Sequence, residues 1–260
     1  ASRFLAARLV ERGVAALIYD KRGVGNSGGD WRTSSLDDLA GDAIAGVELL
    51  RHEAGIDPER IGIHGHSQGG TMAPMVAVRS GHVAFIVASS ASAVPSDSAE
   101  IYSLLNTVYP AAVSRSDSAD AHDYVAALVQ AAYHGAPRAG FDSLAARVSG
   151  RPWYFAPPPP TASYWSFSRS FNEYKPLEWW RQVRVPVLLL YGADDRRVPA
   201  RESAVRITAA VAQGSSAIDL TTRILPGADH TFRQPPGAGG WPVTARDYLP
   251  TLLDWITARR

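Results

Sequence analysis

Apolar residues along this chain fall into two alternating patterns. Residues 14–19, 83–88 and 185–191 are continuous apolar runs of strand length, the pattern of parallel strands buried on both faces. Residues 61–64 and 218–225 alternate apolar and polar positions and read as further strands. Between them, apolar residues recur every three or four positions. The spacing predicts helices over residues 2–12 (Phe4, Leu5, Leu9, Val10, stopped by Gly13) and 36–52 (Leu39, Ala43, Ile44, Val47, Leu50). Others are expected over 71–78, over 201–213 with Gly214 as a stop, and over 247–258. Asp37 and Asp38 open the second helix and Arg51 and His52 close it, as the helix dipole favours. Strand and helix in alternation predict an α/β fold, a mostly parallel sheet flanked by helices.

The alternation breaks once. Residues 95–176 contain no strand pattern, only helical spacing near 99–109, 118–133 and 141–148 and then a stretch rich in proline and aromatics. That stretch holds Trp153, Tyr154, Phe155, Pro157 to Pro160, Tyr164, Trp165 and Phe167. Such bulk does not suit a linker; an excursion of this kind between core strands reads as a helical cap over a binding site. For any single aromatic, packing in a second hydrophobic cluster away from substrate is an equal alternative. The expected organisation is a core in two parts, residues 1–94 and 177–260, around a cap at 95–176.

Charge and composition then narrow the chemistry. In 260 residues, 26 Lys and Arg balance 25 Asp and Glu, so there is no field to attract nucleic acid or anionic membrane. The absence of cysteine excludes disulfides, thiolate metal sites and cysteine nucleophiles, and leaves the compartment open. No apolar run reaches the length of a membrane span.

The pattern with most chemical content is Gly65-His66-Ser67-Gln68-Gly69, between a predicted strand and a predicted helix. In that context a Gly-x-Ser-x-Gly turn projects a serine hydroxyl above the sheet, and side chains at 65 and 69 are expected to collide in so sharp a turn. Two other polar features follow later strands: Asp194 and Asp195, and His230. A serine hydroxyl needs a base to take its proton, and a carboxylate fixes the tautomer of a neutral imidazole. The order Ser67, Asp194 or Asp195, His230 thus describes a nucleophile, an acid and a base at three strand ends, where ligands bind in open α/β sheets. Separately, each has a plain structural reading, His230 as a loop histidine and Asp195 as a helix cap.

The glycine-rich residues 23–29 are followed by no helical pattern and contain no Gly-Lys-Ser/Thr. They are expected to form a structural turn tied down by Asp20 and Arg22, not a phosphate loop. His64 and His66 share a strand face, but no carboxylate cluster accompanies them, so neither a metal nor another cofactor is expected.

On these motifs the chain resembles the α/β-hydrolases, in particular their esterase and serine-aminopeptidase-like branch. The likeness is carried by residues 19–27, by Gly65 to Gly70, by residues 185–192 and by Pro226-Gly227-Ala228-Asp229-His230; Pro74 inside the predicted helix is similar to that branch as well. The family's Gly-x-x-Asp-x-x-Val-Pro pattern fits Gly192, Asp195, Val198 and Pro199, which selects Asp195 over Asp194. The resemblance implies that the Gln68 N–H is one donor of an oxyanion hole. It also implies a second donor from an early loop and one more strand between those at 14–19 and 61–64, neither of which is seen here. The expectation is therefore that these residues are the C-terminal part of a longer chain. With one donor absent, each such donor being worth about 3 kcal/mol, catalysis would be weak.

The implied reaction is hydrolysis of a carboxylic ester through an acyl-enzyme, on a small uncharged substrate. Two alternatives stay open. One is a serine aminopeptidase of the same branch acting on short peptides, with Glu100, Asp117 or Glu173 holding the α-ammonium. The other is a binding protein that keeps the fold without catalysis.

Overall fold

The computed structural model describes residues 2–108, 115–235 and 243–259. Four parallel strands form the main sheet in the order β1 (Gly62–His66), β2 (Phe85–Ser89), β3 (Val187–Gly192), β4 (Leu220–Leu225). Period-two alternation then sorts side chains to opposite faces. Ile86, Ala88, Val187, Leu189 and Tyr191 pack on one side with α3 (Gln68–Ser80) and α9 (Ala200–Gly214). Phe85, Val87, Leu188 and Leu190 pack on the other with α1 (Ser2–Val10) and α10 (Tyr248–Thr257). The molecule is thus layered helix–sheet–helix, as parallel strands without a wet face require. Helix α2 (Leu36–Arg51) starts at a capping box of Ser35 and Asp38 and lies against α3.

Between β2 and β3 the described residues form only helices: α4 (Ser96–Val108), α5 (Arg115–His134), α6 (Arg138–Val148), α7 (Tyr164–Glu173) and α8 (Pro176–Trp180). The helix expected at 99–109 begins earlier, and its last position, Tyr109, lies outside the described residues. Tyr124, Phe141, Trp153 and Trp165 form the centre of a separate hydrophobic cluster with Tyr154, Phe155 and Tyr164 around it. Most aromatics of the proline-rich stretch are therefore spent on the excursion's own core. Phe167 instead packs edge-on against Trp31, 5.8 Å between centroids.

One expected strand does not form. Residues 14–19 run without a ladder partner among the described residues, and Leu17, Ile18 and Tyr19 are 39%, 44% and 56% exposed. Between this segment and β1 lies a cleft of about 370 Å³, lined by Leu17, Tyr19 and Lys21 on one side and Ile63, His64 and Gly65 on the other. A strand exists only through hydrogen bonds to a neighbour, and across that gap no backbone group of the segment reaches β1. The turn after it behaves as expected: Ser27 Oγ donates to the Asp20 carbonyl at 2.7 Å, and the Arg22 guanidinium binds Asp42 in α2, Nε to Oδ2 at 2.7 Å. Gly25 sits at φ 57°, where a Cβ would meet Asp20 Oδ2 at 2.2 Å.

Candidate functional site

The parallel sheet delivers three loops to one rim. Ser67 follows β1 directly, Asp195 comes three residues after β3 ends, and His230 five residues after β4 ends. Ser67 has φ 56° and ψ −117°, a conformation costly for a residue with a side chain and held here by its N–H bond to the Ser89 carbonyl at 2.8 Å. The turn is tight enough that a Cβ at Gly65 would lie 2.2 Å from the Gly69 carbonyl oxygen. At Gly69, by contrast, an added Cβ would meet nothing within 4 Å. The expected collision at 69 is absent because that position opens outward from the first turn of α3. The second tight glycine is Gly70, whose Cβ would come within 3.0 Å of the Gly65 and Ser89 carbonyl oxygens.

The three side chains converge. His230 Nε2 lies 2.9 Å from Ser67 Oγ, and His230 Nδ1 lies 2.8 Å from Asp195 Oδ2. Asp195 is 3% exposed, and its other oxygen accepts the N–H groups of Arg197 at 2.7 Å and Val198 at 2.9 Å. Its carboxylate therefore ties the turn before α9 with one oxygen and faces the imidazole with the other. The helix-cap alternative does not apply, since α9 is preceded directly by Pro199. Asp194 is exposed and, among the described residues, stays out of the chain of bonds; its backbone N–H is engaged by the Ala228 carbonyl at 2.9 Å. Asp229 folds its own loop: Oδ1 accepts from Thr231 N at 2.8 Å and Arg233 N at 2.9 Å. Burial opposes its charge, but these bonds prevail and hold its pKa below the usual carboxylate range.

Gln68 opens α3, so its N–H belongs to the first helical turn, whose donors have no intrahelical partner and carry partial positive charge. Its side-chain Oε1 accepts from Lys21 Nζ at 3.1 Å, and that ammonium also sits 4.4 Å from the centre of the Trp31 ring. A serine hydroxyl between a helix N-terminus and an imidazole braced by a buried carboxylate can give up its proton and attack a carbonyl carbon.

His64 and His66 do not converge on a common point. His64 Nε2 lies 3.0 Å from Ser89 Oγ, and His66 Nε2 donates to the His230 carbonyl at 2.8 Å. His64 is exposed along the cleft, yet the protein packed around it pushes its pKa down, with the nearby His66 adding to the effect. Sequence reasoning overlooked Ser90, which has φ 51° and donates from Oγ to the same His230 carbonyl at 3.1 Å. No local signal marks it; Ser90 is one small residue in a run of them. Lys21 was likewise hidden, since its partner Gln68 is distant in sequence.

A family model described as the alpha/beta hydrolase family matches residues 1–238. A bifunctional esterase/perhydrolase of Acinetobacter calcoaceticus is 26% identical over 220 residues, covering 73% of this chain and 67% of the relative. Among solved structures, a thermostable carboxyl esterase of Bacillus coagulans superposes with a TM-score of 0.60 at 17% identity, covering 98% of this chain and 83% of its own. A monoacylglycerol lipase of Paleococcus ferrophilus gives 0.57 at 19% identity, with 99% and 88% covered. At such identities these two structures speak for the fold.

Proposed function

We propose an ester hydrolase, from the premise that this chain belongs to the alpha/beta hydrolase family. The observation that carries the reading is the continuous chain of short contacts from Ser67 Oγ through His230 to Asp195, set at the N-terminus of α3. In the proposed reaction His230 Nε2 takes the Ser67 proton as Oγ attacks the ester carbonyl. Asp195 holds the imidazole with Nε2 free of hydrogen and stabilises the imidazolium. The Gln68 N–H receives the developing oxyanion. The protonated His230 then passes its proton to the leaving alcohol, and water repeats the sequence on the acyl-Ser67 ester.

The esterase named among the relatives supports an ester over a peptide substrate. So does the placement of the acids that could hold the α-ammonium in an aminopeptidase. Glu100 accepts from the Tyr164 hydroxyl at 3.3 Å inside the helical excursion, and Asp117 pairs with Arg151 at 3.3 Å. Glu173 is exposed at the end of α7. Glu100 and Asp117 are thus already engaged by neighbouring side chains. Residues 95–176, whose Tyr102 hydroxyl donates to the Asp195 carbonyl at 2.8 Å, are the proposed cap over the rim.

The test is a panel of p-nitrophenyl esters and amino-acid p-nitroanilides, with fluorophosphonate labelling alongside. Ester hydrolysis and labelling are expected in the wild type, and neither in Ser67→Ala. Hydrolysis by Ser67→Ala at the wild-type rate would sink the mechanism, preference for the anilides would favour the peptidase, and a folded wild type that neither labels nor hydrolyses would favour a binding protein.

A further inference from the structure

Three histidines lie near the rim, and the proposed reaction uses one. His66 ends β1, immediately before Ser67. Its Nε2 donates to the main-chain carbonyl of His230 at 2.8 Å, and the Ser90 hydroxyl donates to the same oxygen at 3.1 Å. The His66 and His230 rings lie 5.0 Å apart between centroids, tilted by 60°. Phe232, itself at φ 58°, meets His66 edge-on at 6.1 Å. Donation to a carbonyl requires hydrogen on Nε2, so this contact selects one tautomer of neutral His66.

We propose that His66 is a positioning residue for His230: its Nε2–H, together with the Ser90 hydroxyl, pins the backbone that carries the base. The inference rests on the Ser67–His230–Asp195 reading.

His230 sits on a loop, so the bonds its ring makes to Ser67 and Asp195 are kept only if its main chain is held. Without the His66 donor the carbonyl keeps one partner, Ser90, and the ring can drift. Displacements on the order of 1 Å at a reacting group can cost about 100-fold in rate. The groups facing His66 are His64 on its own strand, His230 and Asp229 from the loop after β4, and Asp195 from the loop after β3. Burial, the largest influence, lowers the pKa of His66, and Coulomb repulsion from His230 adds to that. The backbone bond to His230 and the charges of Asp195 and Asp229 oppose the shift without reversing it. His66 is thus neutral at neutral pH. In acid it takes up a proton and sets a cation beside the ring of the base, so the ionisation of His66 contributes to the acid side of the rate profile.

The experiment compares His66→Gln, whose amide N–H reaches the carbonyl without charge, with His66→Leu, which fills similar space and donates nothing. Ester hydrolysis is followed as kcat, KM and the pH profile of kcat/KM. His66→Leu is expected to lose about tenfold or more in kcat with KM little changed. His66→Gln is expected to keep most of kcat and to show a less steep acid limb than the wild type. Equal losses in both variants, or no loss in either, would overturn the inference. If the Leu variant does not fold, an acid limb unchanged in the Gln variant overturns it alone. Activity surviving in Ser67→Ala or His230→Ala would instead mark failure of the underlying mechanism.

Discussion

Two apolar runs of nearly equal length meet opposite fates in this molecule. Val187 to Tyr191 in β3 are all 0% exposed, paired with β2 on one side and β4 on the other. Leu17, Ile18 and Tyr19, from an equally apolar run, stand 39% to 56% exposed beside a cleft. The chemistry of the side chains does not separate them. What separates them is the neighbour: β3 has its backbone donors and acceptors satisfied on both edges, while residues 14–19 face β1 across about 370 Å³ of open space. An apolar run states what a segment gains if it is covered; only the sheet decides whether it is.

The comparison yields measurable contrasts. The largest is Leu189→Ala, which empties a fully buried position and should cost about 2–5 kcal/mol in urea unfolding. A loss below about 1 kcal/mol would mean that β3 is far less tightly packed than described. Next is Gly192→Ala at the end of the same strand. Its Cβ would lie 2.3 Å from the Ala228 and Asp229 carbonyl oxygens, so the His230 loop must move. The expectation is about 1–3 kcal/mol of instability with ester hydrolysis reduced by more than the unfolded fraction explains. Activity that merely tracks stability would show the loop to be tolerant.

A smaller effect belongs to the cleft. The folded state lowers the pKa of His64, so from the ordinary histidine value downward the unfolded chain binds a proton that the folded one refuses. Stability from this group is whole above about pH 6.5 and is lost as pH falls toward the folded pKa. His64→Gln should flatten the unfolding midpoint against pH in that range, and an unchanged slope would count against a lowered His64 pKa in the folded state. The smallest effect is at the exposed run: Ile18→Ala should fall within about 0.5 kcal/mol of wild type. Amide exchange would sharpen the same point, with residues 14–19 exchanging well before 187–191; equal protection would require a ladder partner for both.

The sequence by itself determined the alternation of elements, the break at 95–176, and that Ser67, a pair of adjacent carboxylates and His230 lie past strand ends. Those features are written locally, in the period of apolar residues, in glycines that a tight turn demands at Gly65, and in the Gly-x-Ser-x-Gly order. It could not choose between Asp194 and Asp195 without a family resemblance, because adjacent carboxylates look alike until one is buried and the other exposed. Tertiary structure alone decided that Asp195 Oδ2 meets His230, that His66 and Ser90 share the His230 carbonyl, and that residues 14–19 find no ladder partner among the described residues. Each of these depends on groups far apart in the chain reaching within about 3 Å of one another, or failing to, and a hydrogen bond has no precursor in local pattern.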